Sequence, residues 1–344
     1  MNTIIKFPNL STKNALEVCR TLDEKVCTGE VILDFSETGS FHPTGMLMVS
    51  SAVRAFMRRN NLNARQIGLE FGTNNSKNIS YANHMGFFES MGFYNDCPFF
   101  SYSSNTCIPI RLVNMTDLVK EEHNLTGKWL DDGPVIERAA KKLAVVLSQG
   151  NEELVKLFTY VLREIIRNIP EHSNSKNIWF CGQYWRTRDQ AEIAILDEGI
   201  GIYNSLRSNA HYRNNVDNEI RALRLAIEPG VSKAFSPGKS NPNKSEWGNS
   251  GFGLFMVKNI CTSLGGSFGV FSKCKGIRCY SDTKTISCVN TAIPGTAISV
   301  LVKPSMLTNY ASLIKNIRIL GEEEAKGEKD RFHRASKPSQ GLMT

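Results

Sequence analysis

The feature that most constrains this chain is an apolar run that leads directly into closely spaced glycines. Residues Ala191–Asp197 (AEIAILD) are followed by Gly199 and Gly201, so that Asp197 begins the pattern Asp-x-Gly-x-Gly. A short apolar run bounded by turn residues predicts a buried strand. Glycine permits positive φ and lets a flat ring lie close to the backbone, and a carboxylate at the strand end can accept a hydrogen bond from the exocyclic amine of a purine. The alternative is an ordinary tight turn between a strand and a helix.

A second pattern lies upstream, on a helix predicted over 152–169. Leu157, Val161, Glu164 and Asn168 follow one another at helical spacing, so they lie along one face. The last two are polar where the pattern predicts apolar residues, and a carboxylate and an amide one turn apart can together hold a hydrated Mg²⁺. The alternative is an amphipathic helix whose apolar stripe ends there, just before Pro170, which is expected to end or kink the helix.

The third pattern is a glycine-rich turn, Trp247–Gly253 (WGNSGFG), that enters a predicted helix. The first backbone N–H groups of a helix and the positive end of its dipole attract phosphate. The turn is not a P-loop, because it lacks Gly-Lys-Ser/Thr. Its glycine spacing also differs from the dinucleotide-binding fingerprint, and it follows a polar stretch rather than a strand.

These patterns occur in one order: the Glu-x-x-x-Asn helix, the strand with Asp-x-Gly-x-Gly, a long polar stretch, the glycine-rich helix start, and Gly295-Thr296 entering a closing strand. In this order they resemble the nucleotide-binding domain of the gyrase, heat-shock chaperone, histidine kinase and mismatch-repair (GHKL) ATPases. The resemblance covers about 134–304 and implies the Bergerat fold, a two-layer α/β sandwich that binds ATP with Mg²⁺. It is closer to the compact anti-sigma-factor kinases, because no transducer domain and no histidine-bearing helical hairpin accompanies it.

The resemblance implies a role for individual residues. Glu164 would be the base that orients a water or hydroxyl against the γ-phosphate, Asn168 the Mg²⁺ ligand, and Asp197 the acceptor of the adenine amine. The other residues implied to bind nucleotide are Gly199, Gly201 and Thr296 around adenine, Gly251, Phe252, Gly253 and Leu254 around the phosphates, and Lys239 and Lys244 from an ATP lid at 203–247, although lysines in a polar loop are often only solvated.

Residues 1–110 alternate predicted strands and helices, which requires an α/β unit with helices packed on a sheet. The segment Val31–Ser36 (VILDFS), followed by Pro43-Thr44-Gly45 at a helix start, resembles a STAS domain, the fold of anti-sigma-factor antagonists. That resemblance implies that Thr44 accepts phosphate. His42-Pro43 departs from the usual Asp-Ser, and the favoured interpretation is that Thr44 only caps the helix.

The remaining segments carry weaker signals. A polar connector is expected at 111–133, a terminal helix at 305–320, and a charged, disordered tail at 321–344. His172 is expected to be a surface histidine. Cys274, Cys279 and Cys288 lie close together, but zinc sites usually show a second matching pair, so buried or strand cysteines are the favoured interpretation.

Composition narrows the function classes. There are 41 Lys and Arg against 33 Asp and Glu, a formal charge of +8, and the nine cysteines show no disulfide pattern. The small basic excess without interleaved aromatics disfavours nucleic-acid binding. The scattered cysteines, with no signal peptide and no membrane span, favour the cytoplasm. We expect a Mg-ATP-dependent ATPase or serine/threonine kinase that acts as a nucleotide-gated switch on a protein partner, with a homodimer left open. The alternative, motivated by Pro170, is a non-catalytic ATP sensor.

Overall fold

A computed structural model describes residues 3–27, 29–94, 106–127, 132–233, 250–282, 285–328 and 334–335. The chain forms two sheets with helices around them, so the predicted mixed α/β architecture is confirmed. In the part of the chain that the structure describes, no helix combines the length and the apolar composition needed to cross a membrane.

The N-terminal unit is built on a three-stranded parallel sheet of order β1-β2-β3. A cluster of phenylalanines packs at its centre, where Phe35 stacks on Phe7 and meets Phe87 and Phe88 edge to face. The helical stretch 76–90 is interrupted at Gly86, whose φ of +70° an α-helix cannot continue through. The elements are β1 (Thr3–Lys6), α1 (Thr12–Glu24), β2 (Val31–Asp34), α2 (Pro43–Arg59), β3 (Ile67–Glu70), α3 (Ser76–His84) and α4 (Phe87–Ser90).

The second unit is a five-stranded antiparallel sheet of order β4-β5-β6-β8-β7. Helices α6, α7 and α11 share one apolar core with one face of this sheet. The elements are β4 (Cys107–Asn114), α5 (Met115–Thr126), α6 (Asp132–Ser148), α7 (Glu152–Asn168), β5 (Asn177–Trp185), β6 (Gln190–Asp197), α8 (Ile202–Arg207), α9 (Ala210–Arg213), α10 (Glu219–Ala226), α11 (Gly253–Ser263), β7 (Ser267–Tyr280), β8 (Ser287–Val302) and α12 (Tyr310–Lys326).

The opposite face of the five-stranded sheet is covered by α1 and α2 of the N-terminal unit. Successive residues of a strand point to opposite faces. Ile193 and Ile195 therefore lie in the core with α7, while Ala194 and Leu196 lie in the core of the N-terminal unit. The two units therefore pack directly on each other through α1 and α2.

Two segments differ from the expectation. The stretch 111–133, expected to be a polar connector, contains the end of β4, paired with β5, and all of α5. The stretch 305–320, expected to be a terminal helix, begins with a short turn at Pro304–Met306, and α12 then continues to Lys326, beyond the predicted start of the tail. Gly321 and Ala325 are buried on α12, which is why the charged sequence around them stays helical.

Candidate functional site

A cavity opens between α7, the end of β6 with the adjoining middle of β8, and the start of α11. It contains about 790 Å³ of empty space, counting its open mouth. Its floor is apolar and its polar groups sit at the ends of the surrounding elements. Its lining comprises Ile165, Asn168, Ile169, His172, Ser173, Ile195, Asp197, Gly201, Ile202, Ser205, Leu206, Ala226, Val231, Ser232, Lys233, Gly251, Gly253, Leu254, Thr296 and Ile298.

Asp197 ends β6 and holds a carboxylate at the cavity floor. Its side chain is buried, and its Oδ1 accepts a hydrogen bond of 2.8 Å from the backbone N–H of Gly199. A side chain at 199 would bring a Cβ to 2.2 Å from the carbonyl oxygen of Ser173, so only glycine fits there. Burial raises the pKa of Asp197 from its ordinary 3.8 to about 6, although the Gly199 N–H and the charge of Lys273 oppose this.

A row of hydroxyls lies beside this carboxylate. Thr296 of β8 is the direct strand partner of Asp197. Its Oγ1 lies 3.1 Å from Oγ of Ser272, which accepts the backbone N–H of Ile202 at 2.9 Å. Gly201 has a φ of +82°, and a Cβ there would lie 2.9 Å from the same Ser272 hydroxyl. The turn after β6 is thereby fixed against β7 and β8.

On α7, the amide and the carboxylate predicted to act together occupy different positions. Asn168 lies in the cavity wall, and its Nδ2 donates to the carbonyl oxygen of Glu164 at 2.8 Å. Its Oδ1 therefore points away from that carbonyl oxygen. Glu164 is 4% exposed and does not line the cavity. Its Oε1 accepts from Nη2 of buried Arg163 at 2.9 Å, and its Oε2 lies 2.6 Å from where a Cβ on Gly253 would be. Glu164 therefore sits directly behind the glycine turn.

The glycine turn itself forms the far wall. Gly251 has a φ of +73°, and a Cβ there would lie 2.3 Å from the carbonyl oxygen of Val231. Gly253 is the first residue of α11, whose first turn carries no acidic side chain. Leu254 lines the cavity. Phe252, expected at the phosphates, is fully buried and packs edge to face on Phe255 in the core.

The polar stretch expected to be a lid is largely helical where the structure describes it. Helices α8, α9 and α10 enclose a small apolar core of their own that includes Leu206, Tyr212 and Leu225. Lys233, near the end of this stretch, lines the cavity, and burial lowers its pKa while Glu171 opposes the shift. Lys239 and Lys244 lie outside the described residues.

Sequence reasoning missed the residues that follow α7. The helix ends at Asn168, as Pro170 predicts, and a single wide π-helical turn, Ile169–Ser173, follows. This turn places His172 and Ser173 in the cavity wall, whereas His172 was expected at the surface. Burial, with the charges of Lys233 and Arg167, lowers the pKa of His172 to about 3, so the imidazole is neutral. The signal that could have located these residues is Pro170, because wide turns concentrate at functional sites.

Thr44 lies apart from the cavity, in the contact between the two units. It is the second residue of α2 and 1% exposed. Its N–H donates to Oε1 of Glu192 at 2.9 Å, and its hydroxyl lies 2.8 Å from Oγ of Ser299. The residue at the cap position is His42, not Thr44. A kinase could reach the Thr44 hydroxyl only after the units separate.

Comparison with known protein families finds a match to part of the chain. Residues 154–304 match the family model described as histidine kinase-, DNA gyrase B- and HSP90-like ATPase. Residues 154–304 are therefore similar to the GHKL-type ATPase domain, as their motif order predicts. This segment contains the whole cavity lining described above. Neither the search of curated proteins nor the search of solved structures found a match to the chain.

Proposed function

We propose that the protein binds Mg-ATP in this cavity and acts as a nucleotide-gated switch. The observation that carries the proposal is the position of the buried Asp197 carboxylate, which lies across one continuous cavity from the Gly251–Gly253 turn, with Asn168 in the wall. A purine nucleotide needs an acceptor at one end of its pocket and backbone N–H donors at the other, and these residues supply both.

The base end fits adenine. Asp197 accepts hydrogen bonds, and with Thr296 beside it the floor offers a carboxylate and a hydroxyl to an exocyclic amine and a ring nitrogen. Ile165, Ile195 and Ile298 supply an apolar surface for the ring. A purine with a carbonyl oxygen in place of that amine would face the carboxylate with an acceptor, so the site is expected to select adenine.

The opposite end fits phosphate and a cation. The N-terminus of α11 presents backbone N–H groups and a positive dipole end, and Lys233 adds a charge. Among the described residues no group of three His, Cys, Asp or Glu side chains is placed to hold a metal. Asn168 would therefore hold Mg²⁺ through one amide oxygen, with phosphate and water oxygens as the other ligands, which is the usual arrangement for this ion.

Glu164 is the residue proposed to take a proton during attack on the γ-phosphate. Bound Mg²⁺ neutralises charge that develops on the phosphates. Attack by water would make the protein an ATPase, and attack by a serine or threonine hydroxyl a kinase, with Thr44 as a candidate acceptor. In the present arrangement Arg163 holds the Glu164 carboxylate behind Gly253, so Glu164 must turn toward the cavity to act.

That same ion pair favours a second candidate function, a sensor that holds ATP without cleaving it. Both partners are buried, with side chains 2% and 5% exposed. If Glu164 stays paired with Arg163, the cavity retains its base-binding and phosphate-binding groups, but the carboxylate proposed to take the proton stays outside it. The protein would then signal through the position of residues 202–233 alone.

Calorimetry and γ-labelled ATP separate these functions. We expect heat of binding with ATP at millimolar Mg²⁺, and release of labelled phosphate that Glu164→Gln abolishes while binding persists. Glu152→Gln, on the exposed first turn of the same helix, is the matched control and should change neither. Label on the protein that Thr44→Ala removes indicates a kinase. Binding without release or transfer indicates the sensor, and no binding at all contradicts the proposal.

A further inference from the structure

Helix α2 of the N-terminal unit reaches the turn that carries Asp197. Glu198, the next residue along the chain, points to the opposite side of the sheet from the cavity and binds three side chains of α2. Its Oε1 accepts from Oγ of Ser51 and from Nη2 of Arg54, each at 2.8 Å, and its Oε2 lies 3.5 Å from Nη2 of Arg58.

The bond to Arg54 is the strongest of the three. Burial raises the pKa of Glu198, but the charge and hydrogen bond of Arg54, with the Ser51 hydrogen bond and the Arg58 charge, together outweigh burial, and the net shift is downward. The carboxylate is therefore ionised and charge-paired at neutral pH. Hydrogen bonds between charged groups are about twice as strong as neutral ones.

Arg54 is itself held from two further directions. Its Nη1 donates to the carbonyl oxygen of Ser90 at 2.7 Å, and its guanidinium lies 3.9 Å from the ring centre of Trp179 on β5. The side chain is only 14% exposed. Because these contacts fix the Arg54 guanidinium, its position is set by α2 and its surroundings and not by Glu198. Glu198 therefore follows the position of α2.

Glu198 stands between the two residues that shape the base end of the cavity. Asp197 precedes it and Gly199 follows it, and these two are joined by a 2.8 Å hydrogen bond across it. A shift of the Glu198 backbone therefore moves the Asp197 carboxylate or breaks that bond. Charged anchors that lie one residue from a binding group are suited to fix its direction.

We propose that Arg54 is a positioning residue for Asp197, acting through Glu198, and that the N-terminal unit thereby sets the preference of the cavity for adenine. The inference rests on the proposed ATP binding. It assigns to α2, which lies outside the matched segment 154–304, a part in nucleotide selection. Because coupling between sites is reciprocal, nucleotide binding in turn strengthens the packing of α2 on the sheet.

The test compares ATP with inosine triphosphate, which carries a carbonyl oxygen in place of the exocyclic amine. Wild-type protein should prefer ATP. Arg54→Gln and Glu198→Gln should each reduce that preference about tenfold by weakening ATP binding and not inosine triphosphate binding. Arg59→Gln is the matched control on the same helix, because the partners of Arg59 among the described residues, Asp23 and the Leu22 carbonyl, lie within the N-terminal unit.

The outcomes distinguish this inference from the proposed function. Absence of ATP binding by the wild type overturns both. ATP binding with an unchanged ATP preference in Arg54→Gln and Glu198→Gln, measured below their melting temperatures, overturns the positioning role alone. Should Arg54→Gln fail to fold, Glu198→Gln decides, since it keeps the side-chain size. The double variant should lose no more preference than either single one.

Discussion

Asp197→Asn is expected to stabilise the fold at neutral pH while it weakens ATP binding. Burial raises the pKa of Asp197 to about 6 in the folded protein, from 3.8. The shift of about two units corresponds to about 3 kcal/mol, at 1.36 kcal/mol per unit. That is the free energy by which the fold disfavours the ionised carboxylate, and asparagine removes the charge without changing the size.

The sign follows from the direction of the shift. A group whose pKa is raised on folding favours the folded state most below its unfolded pKa, and this contribution is lost as the pH rises through the folded value. The stabilisation by asparagine should therefore be full above about pH 6 and absent below about pH 4. At about 2–4 °C per kcal/mol, the midpoint temperature of thermal unfolding of Asp197→Asn at pH 7 should be up to about 10 °C higher than that of the wild type.

Binding should change in the opposite direction. Asparagine keeps an acceptor oxygen but loses the charge. A hydrogen bond to a charged group contributes about 1.5–3 kcal/mol and a neutral one about 0.5–1.5 kcal/mol, so calorimetry should show ATP affinity about tenfold lower. Asp34→Asn is the control, because Asp34 also ends a buried strand and accepts a backbone N–H two residues on, from Ser36 at 2.8 Å, but lies outside the cavity. A variant that melts at or below the wild type at pH 7 would refute the burial argument, and unchanged ATP affinity would refute base recognition by Asp197.

Two further substitutions test packing at the site and at the C-terminal helix. Gly253→Ala should weaken ATP binding more than tenfold and lower the free energy of unfolding by about 1–3 kcal/mol, because its Cβ would lie 2.6 Å from Glu164 Oε2. Gly327→Ala is the control, because a Cβ at 327 has no atom within 4 Å. This variant should leave the ATP affinity measured by calorimetry and the melting temperature unchanged. Gly321→Val should detach α12, because a Cβ there lies 2.5 Å from Cε1 of Phe255; limited proteolysis should then cleave near residue 321, and an uncleaved helix would contradict this packing.

The sequence of β6 predicts that both faces of this strand are buried. AEIAILD is apolar at five of its seven positions, and the apolar residues do not alternate with polar ones, which indicates a strand buried on both faces. The structure shows both faces covered, by α7 on one side and by α2 on the other. What the sequence alone could not show is the identity of the second cover, because the contact joins Thr44 to Glu192, 148 residues apart, and no local pattern specifies such a pairing.

The C-terminal helix shows how composition can mislead. GEEEAK was expected to be a disordered tail because it holds few large apolar residues. The buried positions of α12 nevertheless follow helical spacing through Ile314, Ile317, Gly321 and Ala325. Two of these are small, and a small residue lets α12 approach α11 closely, as at Phe255. Periodicity of small residues was therefore a better indicator of the helix end than hydrophobicity.

Some residues of the candidate site could be predicted from the sequence and others could not. Local motifs located Asn168, Asp197 and the glycine turn, which the structure brings to one cavity. His172 and Lys233 belong to no motif. A wide turn places His172 in the cavity wall, and the non-helical segment after α10 places Lys233 there. Such residues become visible only when the path of the backbone is known.

Glu164 and Asn168 show why helical spacing alone did not settle the site. Residues four apart on a helix differ by about 40° around its axis, so both were expected to face the nucleotide. A Cβ on Gly253 would lie 2.6 Å from Oε2 of Glu164. Gly253 therefore lies directly against Glu164 and separates its carboxylate from the cavity that Asn168 lines. Glycine at 253 thus serves two purposes: it exposes the start of α11 to phosphate, and it leaves room for Glu164 to rest beside Arg163. A motif reports the residues of such an arrangement, but only the packing of α11 on α7 determines which of them faces the cavity.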